Sequence, residues 1–116
     1  MRRILLILAL AGCADPKEQV RCDDALAPHE ATFAAVLTLV SSEGAKGCAR
    51  CHNTRSPVYG YNFEGPAVSH DALSSKMSSV YAQVASGKMP KDGERWSDTD
   101  LKLLRSWFCN GGFYEE

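Results

Sequence analysis

The sequence has no apolar run long enough to cross a bilayer. Its N-terminal run, residues 4–10, is seven residues long, where about 20 are needed. It has no excess of either charge, with 13 basic against 14 acidic residues. That removes the electrostatic case for nucleic-acid binding. No Ser/His/Asp pattern, Gly-x-Ser-x-Gly or phosphate-cradling loop is present, so nothing points to the hydrolytic or nucleotide chemistry those motifs perform. No internal repeat and no low-complexity segment occurs. At 116 residues the chain holds at most one domain and is too short for a barrel enzyme or a dinucleotide-binding fold. A hydrophobic content of 45% is ordinary for a globular protein and argues against disorder.

Cysteine is not scarce. Five in so short a chain is a high count, and an odd one that cannot be paired completely.

Met1-Arg2-Arg3 is cationic, the apolar run follows, and Leu10-Ala11-Gly12-Cys13 closes it. Charge, short apolar run and small residues are the layout of a secretory signal peptide. The Leu-Ala-Gly-Cys sequence resembles the lipobox of bacterial lipoproteins, which implies lipidation of Cys13 as the first mature residue. Residues 1–12 are then the signal peptide, 13–24 a polar tether and 25–116 the folded domain. Losing Arg2 and Arg3 leaves 11 basic against 14 acidic residues, a net of −3. Export places the other cysteines in an oxidising compartment. The expected location is the periplasmic side of the cell envelope, on a lipid anchor. Ala14 after Cys13 leans weakly to the outer over the inner membrane.

Three helices are expected. The first spans residues 28–42, with Pro28 in its first turn and Ala31, Phe33, Ala34, Val36, Leu37 and Val40 at helical spacing. Gly44 and Gly47 mark a break. Residues 53–68, with Pro57, Gly60, Gly65 and Pro66 among Tyr59, Tyr61 and Phe63, read as an aromatic loop with no second strand to pair with. The second helix starts at Ser69 or His70, buries Leu73, Met77, Val80, Tyr81 and Val84, and stops at Gly87. The third begins at a capping box, Ser97 to Asp100, with Trp96 and Leu101 as a hydrophobic staple. Leu101, Leu104, Trp107 and Phe108 form its apolar face, and Asn110-Gly111-Gly112 end it.

Cys48-Ala49-Arg50-Cys51-His52 is C-x-x-C-H, the attachment signature of c-type haem. Two thiols three positions apart on one turn each reach a vinyl group of one porphyrin, and the next imidazole coordinates the iron. Zinc would need a second ligand pair, which is missing. A thioredoxin-like motif would need a βαβ setting. A disulfide between the two would close a tight loop. Met89, 37 residues after His52, is the expected second axial ligand, since Pro90 holds its predecessor out of a helix. Met77, more often core filler at such a position, and His70 are the alternatives.

With these residues in place the chain resembles a class I, His/Met-ligated c-type cytochrome from about residue 33 to residue 112. The order is helix, C-x-x-C-H, middle segment, Gly-x-Met-Pro, and a last helix carrying Trp107. The resemblance implies an all-α, cytochrome c-like domain of about three main helices around one covalent haem c. It implies that the first and last helices cross, with Phe33 and Trp107 in contact. Two departures stand out: extra residues at 44–47 and a short middle segment. A proline carbonyl often meets the axial imidazole in this family, and Pro57 and Pro66 are both candidates. If the outer helices cross, Cys22 and Cys109 can meet in a disulfide, provided their Cα atoms come within about 7 Å.

The implied function is single-electron transfer to and from redox partner proteins of the envelope, with no catalysis and no nucleic acid. The oligomeric state is left open. A haem enzyme or sensor with an open sixth position, and a non-haem lipoprotein stabilised by disulfides, are the competing readings. A haem-binding core should also leave a gap lined by aromatic and aliphatic side chains.

Overall fold

The computed structural model describes residues 19–42, 46–57, 60–91 and 93–114. The expected lipidation site, Cys13, and the signal peptide lie outside the described residues. The element order is α1 (Phe33–Val40), β1 (His52–Asn53), β2 (Ser56–Pro57), α2 (Pro66–Ser86) and α3 (Asp98–Cys109). It is a small helical domain with almost no strand. Among the described residues no helix is long and apolar enough to cross a membrane.

Helix α1 starts five residues later than its apolar spacing predicts. Thr32 is extended and its side-chain oxygen accepts from the Ala35 amide, capping the helix there. Upstream, the Ala27 carbonyl closes a separate turn with the Glu30 and Ala31 amides. That turn belongs to α3: the Leu26 amide donates to Ser106 Oγ at 2.9 Å, and the Asn110 side-chain amide donates to the Leu26 carbonyl at 2.9 Å.

Helix α2 starts earlier than expected, at Pro66. Proline suits the first helical position because its missing N–H would have no partner there. The helix departs from regular geometry at Lys76, with φ −134° and ψ 26°. Its buried face is the predicted one: Leu73, Met77, Val80, Tyr81 and Val84, joined by Ser69, Ala72 and Ala85. Gly87, with φ of 81°, ends it in the left-handed conformation that favours glycine.

Helix α3 has the predicted capping box. Ser97 Oγ accepts from the Asp100 amide, and the Asp100 carboxylate accepts from the Ser97 amide, each at 3.1 Å. Trp96 and Leu101 are both buried. The apolar face differs at one position. Phe108 is exposed, and the buried side turns through Arg105 and Ser106 instead. Arg105 is buried because the Asp24 carboxylate meets its guanidinium at 2.7 Å.

The three helices share one core. Phe33, Val36 and Val40 of α1 meet the buried faces of α2 and α3, with Leu73, Leu104 and Trp107 almost fully enclosed. Each such side chain contributes about 1.5–3 kcal/mol on burial. The Phe33 and Trp107 rings are 5.6 Å apart, so the expected contact between the first and last helices is made. Cys22 and Cys109 form a disulfide, with Cα atoms 5.6 Å apart. The expected tether is already attached to the domain by Val20, which packs partly buried against the core.

The domain therefore has two ends. The starts of α1 and α2 and the finish of α3 meet at one, with the disulfide. The finishes of α1 and α2 and the start of α3 meet at the other, with the C-x-x-C-H segment.

Candidate functional site

The carboxyl end of α1 seats the motif. The amides of Cys48 and Ala49 both donate to the Val40 carbonyl, at 3.0 and 3.1 Å. Gly47 makes this return possible. It is buried, and a Cβ there would collide with the Ser42 carbonyl. The preceding stretch is tied to α3: Lys46 pairs with Asp100 at 2.8 Å, and the Trp96 indole N–H donates to the Lys46 carbonyl at 2.8 Å.

The motif itself is one tight turn. The Cys48 carbonyl accepts from the Cys51 amide at 3.2 Å and the His52 amide at 2.8 Å. The backbone thus carries Cys48, Cys51 and His52 on one turn, three and four positions apart. Both thiols are free. Cys51 is exposed, whereas burial pushes the Cys48 thiol up to about 12, so it is neutral at neutral pH.

Immediately after the motif the chain makes a short hairpin where an unpaired loop is expected. His52 pairs with Pro57 and Asn53 with Ser56. The Asn53 side chain builds the turn: its oxygen accepts from the Arg55 and Ser56 amides at 3.1 Å, and its NH2 donates to the Ala49 carbonyl at 3.0 Å. Asparagine after C-x-x-C-H was the available signal, since its side chain closes turns of this kind. Of the two prolines considered beside the imidazole, Pro57 lies opposite His52 and Pro66 begins α2.

The His52 ring is edge-on to Tyr61 at 5.7 Å and to Phe63 at 6.2 Å, and those two rings stack at 6.2 Å. The Phe63 amide donates to the His52 carbonyl at 2.9 Å. Lys76, at the irregular point of α2, lies over the Tyr61 ring at 4.5 Å and donates to the Gly60 carbonyl. The predicted aromatic loop thus packs against both the motif and α2. Val58 and Tyr59 lie outside the described residues.

Met89 is partly buried against the core, and its amide donates to the Gln83 carbonyl at 3.0 Å. Its loop meets the motif directly: the Arg50 guanidinium, inside C-x-x-C-H, donates to the Lys91 carbonyl at 3.3 Å. The alternatives are placed differently. Met77 is buried in the core. His70 is half-buried at the opposite end, where Nε2–H donates to the Gly112 carbonyl at 2.8 Å and the ring meets Phe33, Trp107 and Tyr114 edge-on.

The donor set suits haem c: two unlinked thiols and an imidazole on one turn, with a thioether on the loop that turn touches. Two clefts lie among the described residues, one of about 470 Å³ beside Arg21, Asp24, Tyr81, Leu101 and Arg105 and one of about 310 Å³ beside Asn53, Arg55 and Glu64, and neither is lined by aromatic and aliphatic side chains alone. The aromatic rings beside the motif pack on one another instead. Among the described residues no three His, Cys, Asp or Glu side chains converge on a point that would hold a bare metal ion. Comparison with known proteins returns no match to a family model, a curated protein or a solved structure.

Proposed function

We propose that this protein is a membrane-anchored c-type cytochrome that passes single electrons among redox proteins of the cell envelope. The observation that carries the reading is the turn at residues 48–52. Its Cys48 carbonyl accepts from the Cys51 and His52 amides, so two free thiols and an imidazole are carried on one tight turn. Cys48 and Cys51 would hold haem c by thioether bonds, with His52 and Met89 as axial ligands. Haem c so held supplies one-electron exchange at iron, and a methionine ligand favours a raised potential.

The chain's own residues have definite tasks in this reading. Val40 fixes the turn at the end of α1, so the thiols are carried by the helical core. The edge contacts of Tyr61 and Phe63, with the bond from the Phe63 amide to the His52 carbonyl, hold the orientation of His52. Arg50 joins the motif to the Met89 loop, keeping the two ligand-bearing segments together. A net charge of −3 for the mature chain favours a basic docking patch on the partner. The lipid on Cys13 would hold the domain at a membrane surface on the periplasmic side.

The test is expression of the full chain with haem-maturation machinery. A denaturing gel should carry a haem-stained band that Cys48→Ser with Cys51→Ser abolishes, and a pyridine haemochrome spectrum should identify haem c. No covalent band from the wild-type chain would refute the reading. Met89→Ala should lose the Met-ligated spectrum and gain ready CO binding. An unchanged spectrum would move the sixth ligand elsewhere.

A further inference from the structure

Helix α2 extends two polar side chains towards the motif, and both end on one ring. The Lys76 ammonium lies over the face of Tyr61, 4.5 Å from its centre, a cation–π contact. The Tyr61 hydroxyl donates to Ser79 Oγ at 3.0 Å. The same ammonium donates to the Gly60 carbonyl at 3.3 Å, so it holds the backbone before the ring as well as the ring itself. The helix departs from regular geometry at Lys76, while Leu73, Met77 and Val80 around it stay buried in the core. The departure thus falls on the residue whose ammonium reaches the loop.

Tyr61 is the link from α2 to the motif. Its ring meets the His52 ring edge-on at 5.7 Å and lies parallel to the ring of Phe63. The two aromatic neighbours of His52 are held differently. Phe63 is buried, so close packing fixes it. Tyr61 is half-buried, and its position depends on the grip of Lys76 and Ser79. One ring therefore stands between the ammonium and the imidazole. Both Lys76 contacts are to uncharged groups, a ring face and a carbonyl, and neither neutralises its charge.

Resting on the haem c reading above, we propose that Lys76, acting through Tyr61, is the positioning residue of the His52 imidazole and holds the reduction potential of the site up. The groups around a ligating histidine fix its ring orientation and tune the metal it binds. Here that support comes from α2, 24 positions beyond His52, so the helical core sets the ring that C-x-x-C-H carries. The charge acts in a second way. Oxidation at iron adds a positive charge, and a like charge close by opposes it. Lys76 therefore favours the reduced form.

The test uses the full chain, haem-loaded and haem-free, with two substitutions. Lys76→Met keeps an unbranched stem and removes the charge, and Lys76→Arg keeps a cation over the ring. In the haem-loaded protein Lys76→Met should lower the midpoint potential and shift the electron paramagnetic resonance g values of the oxidised form. In the haem-free protein it should lose the nuclear Overhauser contact between the His52 and Tyr61 rings. Lys76→Arg should restore all three. Wild-type potential and g values in Lys76→Met overturn the proposal, as does a Lys76→Arg that behaves like Lys76→Met. Either result leaves Lys76 a packing residue. Where circular dichroism shows that Lys76→Met does not fold, Ser79→Ala at its exposed position decides: the ring contact should weaken, and an unchanged contact overturns the grip. No covalent haem band from the wild-type chain refutes the cytochrome reading and the redox role with it, and the haem-free ring contact distinguishes that result from a failure of the grip.

Discussion

The two ends of the domain are held by different means. At the disulfide end, side chains tie the N-terminal segment to α3: Cys22–Cys109, Asp24 with Arg105, Leu26 with Ser106 and Asn110. At the motif end, the turn at residues 48–52 is positioned mainly by its own backbone, and its side-chain bond to the Met89 loop is the exposed Arg50–Lys91 contact at 3.3 Å. Its two thiols are not spent on each other. One end uses its cysteine chemistry to fasten protein to protein. The other keeps two thiols, an imidazole and a thioether in neighbouring segments, which is the arrangement a covalent cofactor would cross-link.

The largest effect should come from breaking the first end only. Cys22→Ser with Cys109→Ser opens a link between residues 87 apart, and the chain-entropy treatment assigns such a link about 4–5 kcal/mol. Urea unfolding should show a loss of that order. Haem attachment at Cys48 and Cys51, read by the haem-stained gel at a temperature where the variant is folded, should persist. Loss of attachment in a folded variant would mean that the two ends are not independent.

A smaller effect separates bonding from packing at the same end. Ser106 is fully buried and accepts from the Leu26 amide. Ser106→Ala leaves that amide without its partner, which costs about 1–3 kcal/mol, measured by the same unfolding curves. At the other end Ser97→Ala removes the cap on α3, for about 1 kcal/mol. Because Asp100 serves both the capping box and Lys46, this variant should also loosen the approach to Cys48. Faster amide exchange at residues 46–49 than at residues 22–26 is the expected signature.

These differences also explain what could be read from the sequence. The C-x-x-C-H spacing, the buried stripe of α2 and the box at Ser97 are local patterns whose chemistry lies within a few residues, and all three segments take the predicted local form. The Cys22–Cys109 bond followed once the outer helices were placed together. The start of α1 did not follow, because the backbone of residues 26–31 is recruited by Ser106 and Asn110, some 80 positions away. The start of α2 was hidden by Gly65-Pro66, a pair that signals a loop as readily as a helix start. Periodicity sees only apolar character and so puts Phe108 in the core, whereas Arg105 takes the buried position through its bond to Asp24. The two-residue strands after His52 are too short to have a period, and Asn53 makes them.

The smallest effect should be a pH dependence confined to the disulfide end. The hydrogen bond from Arg105 holds the Asp24 carboxyl below its usual range, with the nearby Arg105 and Lys102 charges acting in the same direction. A carboxylate whose folded pKa is depressed contributes stability that is fully present above its unfolded pKa, near 4, and is lost as pH falls through the folded value. Asp24→Asn removes that contribution. Wild-type and variant should therefore differ in melting temperature at pH 7 and converge as the pH drops from about 4 towards 2. Asp100 titrates in the same direction: partial burial pushes its carboxyl up, but the bonds from Lys46 and Ser97 outweigh it and hold it low. It is present in both proteins, so its loss lowers both curves together and leaves the difference to Asp24. A gap that persists unchanged at pH 2 would show that the Asp24→Asn substitution acts through packing and that the charge on Asp24 does not help fasten the N-terminal segment to α3.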